Sequence, residues 1–268
     1  RVPAGLVEMS NGTRAVAYID LAYLLGPEAA HVNISGISGL ATKTSYGMFL
    51  IQSILQTADA SDIAVIALNV KHGDLLMIEQ PVEGIEAEQH ELWDKLSLEP
   101  RPFGNVHYLL PNGKDTLTTG MPNSFAFPDF FQTYAYALDN TYDKLDLLFS
   151  QVADPSATIE SMVGEIGNGL ESRAGKWANV TDWDALLNGE PLVKEGRSQR
   201  VGDIHASSVG KFRRHLRRIV KTRQSGVFVR QLSRNTVNLS EEIAKLEGGH
   251  TYVVDIAKYA KAPFQEPG

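Results

Sequence analysis

The chain contains no cysteine among its 268 residues. That excludes disulfides, thiolate metal sites and cysteine nucleophiles, and it fits a reducing, cytoplasmic setting. Long hydrophobic runs are also missing. Ile63 to Leu68 is among the longest, far short of the ~20 residues that cross a bilayer, so no membrane association is expected. No secretory leader pattern opens the sequence. Its first residue is Arg rather than Met, which reads as a fragment or a processed product. The seven histidines, His31, His72 and His250 among them, show neither H-E-x-x-H nor another metal-ligand spacing. No Ser-His-Asp set can be read from spacing, because triads are recognised by geometry. One further absence is local: no acidic residue lies between Asp203 and Glu241.

What is present describes an ordinary globular protein, 43% hydrophobic and 21% charged, long enough for one large or two small domains with a sizeable core. The net charge of −7 argues against a uniformly basic nucleic-acid coat. The acid-free window nevertheless holds Lys211, Arg213, Arg214, Arg217, Arg218, Lys221, Arg223, Arg230 and Arg234. A helix is expected over 207–224, with Phe212, Leu216, Ile219 and Val220 on one stripe and basic side chains around the rest. Three readings fit it: a solvated amphipathic face, a surface for DNA phosphates, or arginines delivered to a neighbouring subunit's nucleotide.

The most informative stretch is His31-Val-Asn-Ile-Ser-Gly-Ile-Ser-Gly-Leu-Ala-Thr-Lys-Thr-Ser45. A β-type run at Val32–Ile34 leads to small and glycine residues, then Lys43-Thr44-Ser45, then an apolar helical pattern to Ala58. This is the order of a phosphate-binding loop. Backbone N–H groups of Ser38, Gly39, Leu40, Ala41 and Thr42 would wrap phosphate oxygens after Gly36. Lys43 would reach the terminal phosphates, and the Thr44 hydroxyl, with Ser45 beside it, would ligate Mg²⁺. The strict pattern is G-x-x-x-x-G-K-[ST]. Aligned from Gly36, Ala41 stands where the last glycine belongs and Thr42 is one extra residue before Lys43. Both carry a Cβ where the backbone ordinarily approaches phosphate closely. A glycine-rich strand–helix turn with a surface lysine is the plain alternative.

Asp62 to Val70 follows as a near-continuous apolar run, expected as a strand buried on both faces of a parallel sheet. With the loop and its helix it makes a βαβ unit, and Lys71-His72-Gly73-Asp74 sits at the strand's carboxyl end, where ligands bind in open α/β sheets. Other expected elements are a strand at Val16–Ile19 after an Asn11-Gly12 turn, and helices at Asn140–Gln151, Ala157–Arg173 and Asp182–Leu187, the last capped by Thr181. A strand at Gly226–Leu232, a helix from Ser240 to Glu247 and a buried strand at His250–Ile256 complete the pattern. The expected organisation is N-terminal strands and βαβ core over 1–79, an insertion over 80–205, and the basic helix with a return to the sheet over 206–268.

Taken together these residues resemble the HerA/FtsK-type DNA-translocating ATPases, on the HerA side. His31, Gly36-Ile-Ser-Gly39 and Lys43-Thr44 match that family's loop, with Ala41-Thr42 as the departure. Asn69-Val-Lys-His-Gly-Asp74 is similar to its next strand end, with Asn69 where an acid is more usual. Val253-Val-Asp255-Ile is similar to a later strand. The likeness covers about 31–75 and 225–258. It implies an α/β P-loop NTPase (RecA-like) parallel-sheet core with a largely helical insertion, binding ATP and Mg²⁺, and assembling as a homo-oligomeric, commonly hexameric ring on DNA. Family members often work with a nuclease partner in DNA processing or anti-phage defence. Asp74 and Asp255 would lie on the γ-phosphate side. Arg213, Arg214, Arg217, Arg218, Arg230 and Arg234 would serve DNA or a neighbour's nucleotide. Four apolar residues followed by Asp-Glu, the Walker B strand that holds Mg²⁺ and orients water, are not found. The resemblance places that strand after residue 268, as if this chain were an amino-terminal part. Two other classes fit the loop: a P-loop kinase of a small molecule, and a nucleotide-gated scaffold without hydrolysis.

Overall fold

The computed structural model describes all residues except 27–29, 37–41, 59, 114–120, 151, 153–156, 195–196, 199, 222–225 and 260–268. The first half carries strands β1 (Val2–Glu8), β2 (Arg14–Ile19), β3 (Val65–Asn69), β4 (Val106–Pro111), β5 (Gln132–Tyr134) and β6 (Tyr136–Ala137). Its helices are α1 (Leu21–Leu25), α2 (Thr42–Thr57) and α3 (Ala87–Lys95). Helices α4 (Thr158–Ser172), α5 (Trp183–Asn188), α6 (Ala206–Val220) and α7 (Leu239–Ile243) follow. Between them run β7 (Val193–Lys194), β8 (Arg197–Ser198), β9 (Phe228–Val229) and β10 (Thr236–Val237), and β11 (Thr251–Asp255) comes last.

Five strands form one all-parallel sheet in the order β10-β5-β4-β11-β3. This is the mixed α/β class expected from the sequence. The hydrogen bonds from Val65 N to the His250 carbonyl (3.0 Å) and from Ile256 N to the Asn69 carbonyl (2.9 Å) show β3 and β11 running in the same direction. On the other side Leu110 pairs with Thr133, which in turn pairs with Thr236. Every residue of β11 is buried, as its apolar run requires of a central strand. β3 differs from expectation. Ala67 and Asn69 are buried, but Ile66 and Leu68 are 45% and 53% exposed. As the last strand of the sheet it buries one face and leaves the other open. The chain divides into two compact units, Arg1–Leu68 with Asp74–His107 and Leu246–Val254, and Asn69–Gly73 with Tyr108–Lys245 and Asp255–Gly268.

In the first unit β1 and β2 pair antiparallel. Gly12, at φ +80°, makes the turn between them, and the Asn11 side chain accepts from Thr13 N at 3.0 Å. The sequence reads 1–35 as short β segments without singling out β1, because Pro3 removes a donor and Gly5 (φ 144°) breaks the alternation. The pairing shifts register between these two residues. Helix α2 packs on β1, with Ser53 Oγ donating to the Pro3 carbonyl (2.6 Å) and Tyr46 Oη to the Ala4 carbonyl (2.9 Å). On another face Phe49 meets the Trp93 ring edge-on at 5.6 Å, and the Gln56 amide both donates to and accepts from the Glu99 backbone. The apolar width of α2 is explained by these neighbours.

The second unit has its own core, in which α4, α5 and α6 bury residues such as Ile166, Leu186, Phe212 and Leu216. Phe149 stacks on Phe212 at 4.5 Å. Several expectations shift here. The segment Asn140–Gln151 forms short 3₁₀ turns, Leu138–Asn140 and Tyr142–Phe149, interrupted by the non-helical backbone of Lys144. Asp182, not Thr181, caps α5, accepting from Ala185 N at 2.7 Å. Asn238, not Ser240, caps the short α7. In both cases an Asx side chain in extended backbone reaches a first-turn N–H. The expected strand at Gly226–Leu232 shrinks to β9, paired with β6. No described helix is long and apolar enough to cross a membrane.

Candidate nucleotide-binding site

Lys43 is the second residue of α2, a 16-residue helix with no acidic side chain in its first turn. The first-turn N–H groups of a helix lack intrahelical partners and carry a partial positive charge of ~0.5. Here no carboxylate competes for that charge. The Lys43 ammonium turns back and donates to the carbonyl of Gly36 at 3.0 Å, across seven residues. Gly36 and Lys43 are thereby held together. Ile34 lies over the helix, its Cδ1 only 3.6 Å from the position of a Cβ on Gly47. Thr44 and Ser45 are exposed on the first turn, with hydroxyls open to a ligand or a Mg²⁺ ion.

Of the residues expected to wrap phosphate, Ser38, Gly39, Leu40 and Ala41 lie outside the described residues, as does the Thr42 side chain. One expectation is corrected. Val32–Ile34 is not a strand, and 30–36 have no regular secondary structure. The loop is therefore preceded by an irregular segment, and α2 has β3 but no opening strand as partner in a βαβ unit. Val32-Asn-Ile34 is a β-prone triplet flanked by residues that offer nothing to extend it. Asp74 is exposed in a run of turns, in the same unit as Lys43.

Asp255 belongs to the other unit and is fully buried at the carboxyl end of β11. Its Oδ1 accepts from Asn69 Nδ2 (2.8 Å) and from Ala257 N (3.1 Å), and its Oδ2 accepts from Ser124 Oγ (2.5 Å). Asn69 also donates to the His72 carbonyl at 2.8 Å. His72 sits at φ +48°. The asparagine where an acid is more usual thus anchors the turn after β3 and supplies a neutral donor to Asp255. Two carboxylates facing each other in this buried space would repel. Tyr134 Oη donates to the Asp255 carbonyl at 3.0 Å. Burial pushes the Tyr134 phenol strongly up, with neighbouring Tyr136, Tyr259 and Asp255 adding to it, so it stays a neutral donor. Burial raises the Tyr136 and Tyr259 phenols as well. Asp255, offered by the sequence as a phosphate-side acid, is here a structural carboxylate with three donors on it. Ser124, 131 residues from Asp255, had no signal in the sequence.

The basic helix resolves into two faces. Arg213, Arg217 and Lys221, spaced four apart, all turn to α5. Arg213 Nε donates to the Leu187 carbonyl (2.5 Å), Arg217 to Asn188 Oδ1 (2.5 Å), and Lys221 pairs with Asp184 (2.6 Å). Arg213 meets a carbonyl at the carboxyl end of α5, Arg217 a side chain there and Lys221 a first-turn carboxylate, so the i, i+4 row of α6 runs along α5 from its end to its start. Burial, and then the nearby Arg217, lower the Arg213 pKa. Arg230 pairs with the cap residue Asp182 at 2.9 Å. Lys211, Arg214 and Arg218 lie exposed on the remaining face, while Arg223 lies outside the described residues. Among the described residues no group of three or more His, Cys, Asp or Glu side chains is arranged to hold a metal. Comparison with protein-family models finds none that matches this chain, and comparison with curated proteins finds no match either.

Proposed function

We propose that this chain is the ATP-binding module of a DNA-translocating ATPase of the HerA/FtsK kind, with DNA and further copies of itself as partners and a nuclease as co-worker. The observation that carries the reading is the Lys43 ammonium drawn back 3.0 Å onto the Gly36 carbonyl at the amino end of a long helix. A lysine held on the Gly36 carbonyl would exchange it for the β- and γ-phosphate oxygens of ATP. Thr44 would hold Mg²⁺ through its hydroxyl, and the loop backbone would wrap the phosphates. The exposed Lys211, Arg214 and Arg218 suit phosphate backbone or a neighbour's nucleotide. Arg213, Arg217 and Arg230 already hold α5.

The test is binding of a fluorescent ATP analogue with Mg²⁺ to the chain and to Lys43→Ala. Saturable binding that weakens at least ~10-fold in the variant, the loss of a charge-assisted contact of about 1.4 kcal/mol or more, is the expected result. Equal binding by both proteins would remove the phosphate-loop reading. A nucleotide-gated scaffold is the second reading. It is favoured by Asp255, whose carboxylate is taken up by Ser124, Asn69 and the Ala257 amide. ATP binding without turnover in the presence of DNA would select it.

A further inference from the structure

His107 ends the first unit's share of β4, and His250 immediately precedes β11, the neighbouring strand in the sheet. The fold brings them together across 143 residues, so no spacing rule applied to the sequence could pair them. His107 Nε2 and His250 Nδ1 are 2.8 Å apart, at hydrogen-bond distance, and the two rings are nearly parallel at 14° with centroids 5.0 Å apart. The two nitrogens share one proton, which a metal ion would displace. His107 also stacks on Tyr252 at 4.7 Å and 12°, which fixes its ring. The backbone beneath is pinned too: Val65 N donates to the His250 carbonyl and Thr251 N to the Asn105 carbonyl.

The other nitrogen of His250 faces a carboxylate. Its Nε2 lies 3.7 Å from Glu247 Oε2. A carboxylate on the far side of a histidine from its metal is the arrangement that orients such ligands. Glu247 is itself steadied, since its N donates to the Tyr252 hydroxyl at 3.1 Å.

We propose that His107 Nε2 and His250 Nδ1 form a two-histidine site for a late divalent metal ion of the zinc or copper class, with Glu247 as the positioning carboxylate and water completing the coordination. Imidazole nitrogens suit zinc, copper and nickel. At Zn–N lengths of about 2.05 Å, tetrahedral geometry sets two ligand nitrogens ~3.3 Å apart. The present 2.8 Å therefore needs an opening of about 0.5 Å, within the reach of side-chain rotation at an exposed site. An ion there would tie the amino ends of β4 and β11 together.

The experiment is titration of the full chain with Cu²⁺, read by electron paramagnetic resonance, and with Zn²⁺, read by calorimetry. The proteins are the wild type, His107→Gln, His250→Gln, Glu247→Gln and the control His90→Gln. One equivalent bound through two imidazole nitrogens is expected. Either site variant should lose the two-nitrogen signature, and Glu247→Gln should weaken binding ~10-fold or more. The control should bind as wild type. Nitrogen-detected NMR of the wild type alone should show Zn²⁺ shifting His107 Nε2 and His250 Nδ1, which decides the matter even if a variant folds poorly. The proposal is overturned if neither nitrogen shifts, if no saturable equivalent binds, or if binding survives in either site variant.

Discussion

Asp255 shows how much one side chain can hold. Its carboxylate is completely buried and takes three hydrogen bonds, from Ser124 on the segment after β4, from Asn69 at the end of β3, and from its own downstream amide. Removing it in Asp255→Ala strands two buried side-chain donors. At about 1–3 kcal/mol for each group left unsatisfied, the variant should lose ~2–4 kcal/mol of stability in urea denaturation. Under the proposed function, in which Lys43 holds the phosphates, ATP-analogue binding should persist under native conditions. A variant that stays as stable as wild type but cannot bind nucleotide would return Asp255 to the phosphate side. At this scale the sequence is legible for residues whose role is local. The contact of Lys43 with Gly36 spans only seven residues, within reach of a local reading. Asp255 could be named as noteworthy but not understood, because its partners are 131 and 186 residues away. Ser124 could not be named at all.

Among the elements, α6 shows the same division. Its apolar stripe is local and largely readable: of Phe212, Leu216, Ile219 and Val220 all but the half-buried Ile219 are buried, and Val209 joins them. Which cations face α5 is not readable, because it depends on where α5 lies. The Asx caps at Asp182 and Asn238 compete with adjacent Thr181 and Ser240, and only the backbone angles decide between them. His215 on α6 gives a test of this packing. It lies against the Phe149 ring at 5.2 Å, and burial, then the charge of Arg218, hold its pKa below the usual 6.5. In the unfolded chain it binds a proton near pH 6.5, while the folded chain resists that proton. Its contribution to stability is therefore fully present above pH 6.5 and is lost as pH falls from there towards the folded pKa. His215→Gln should flatten the fall in melting temperature between pH 7.5 and pH 5. Arg218→Gln should raise the His215 pKa in an NMR titration. An unchanged acid limb in His215→Gln would mean that other groups govern it.

For the molecule as a whole, charge is segregated. A chain of net charge −7 keeps the window from 204 to 240 free of acids, and four of that window's cations are committed to α5 and its cap. If the exposed face of α6 meets DNA, binding should weaken with salt. Arg214→Gln and Arg218→Gln should each lower the slope of log affinity against log salt by about 1 without moving the melting temperature. Arg213→Gln should do the opposite, lowering stability and leaving the slope alone. Identical slopes in all three variants, measured by fluorescence anisotropy, would place the DNA surface elsewhere or nowhere. Of the parallel sheet, β3 and β11 were legible from their apolar runs, while β5 and β10 are too short to carry a pattern and the strand order was not legible, since nothing local says that β11 lies beside both β4 and β3.

That order has a consequence in time. β11 is the last strand of the sheet in the chain and sits between two that come much earlier. The Asn69–Asp255 bond closes a span of 186 residues. At ~5–20 residues per second of synthesis, β3 waits on the order of 10–40 s for its neighbour to emerge. Throughout that interval its backbone edge is unpaired and its apolar side chains are in water. Between residues 69 and 251 the nascent chain offers β3 as a template for wrong strand pairing. Folding in a cell then depends on whatever shields residues 65–69 until 251–255 arrive.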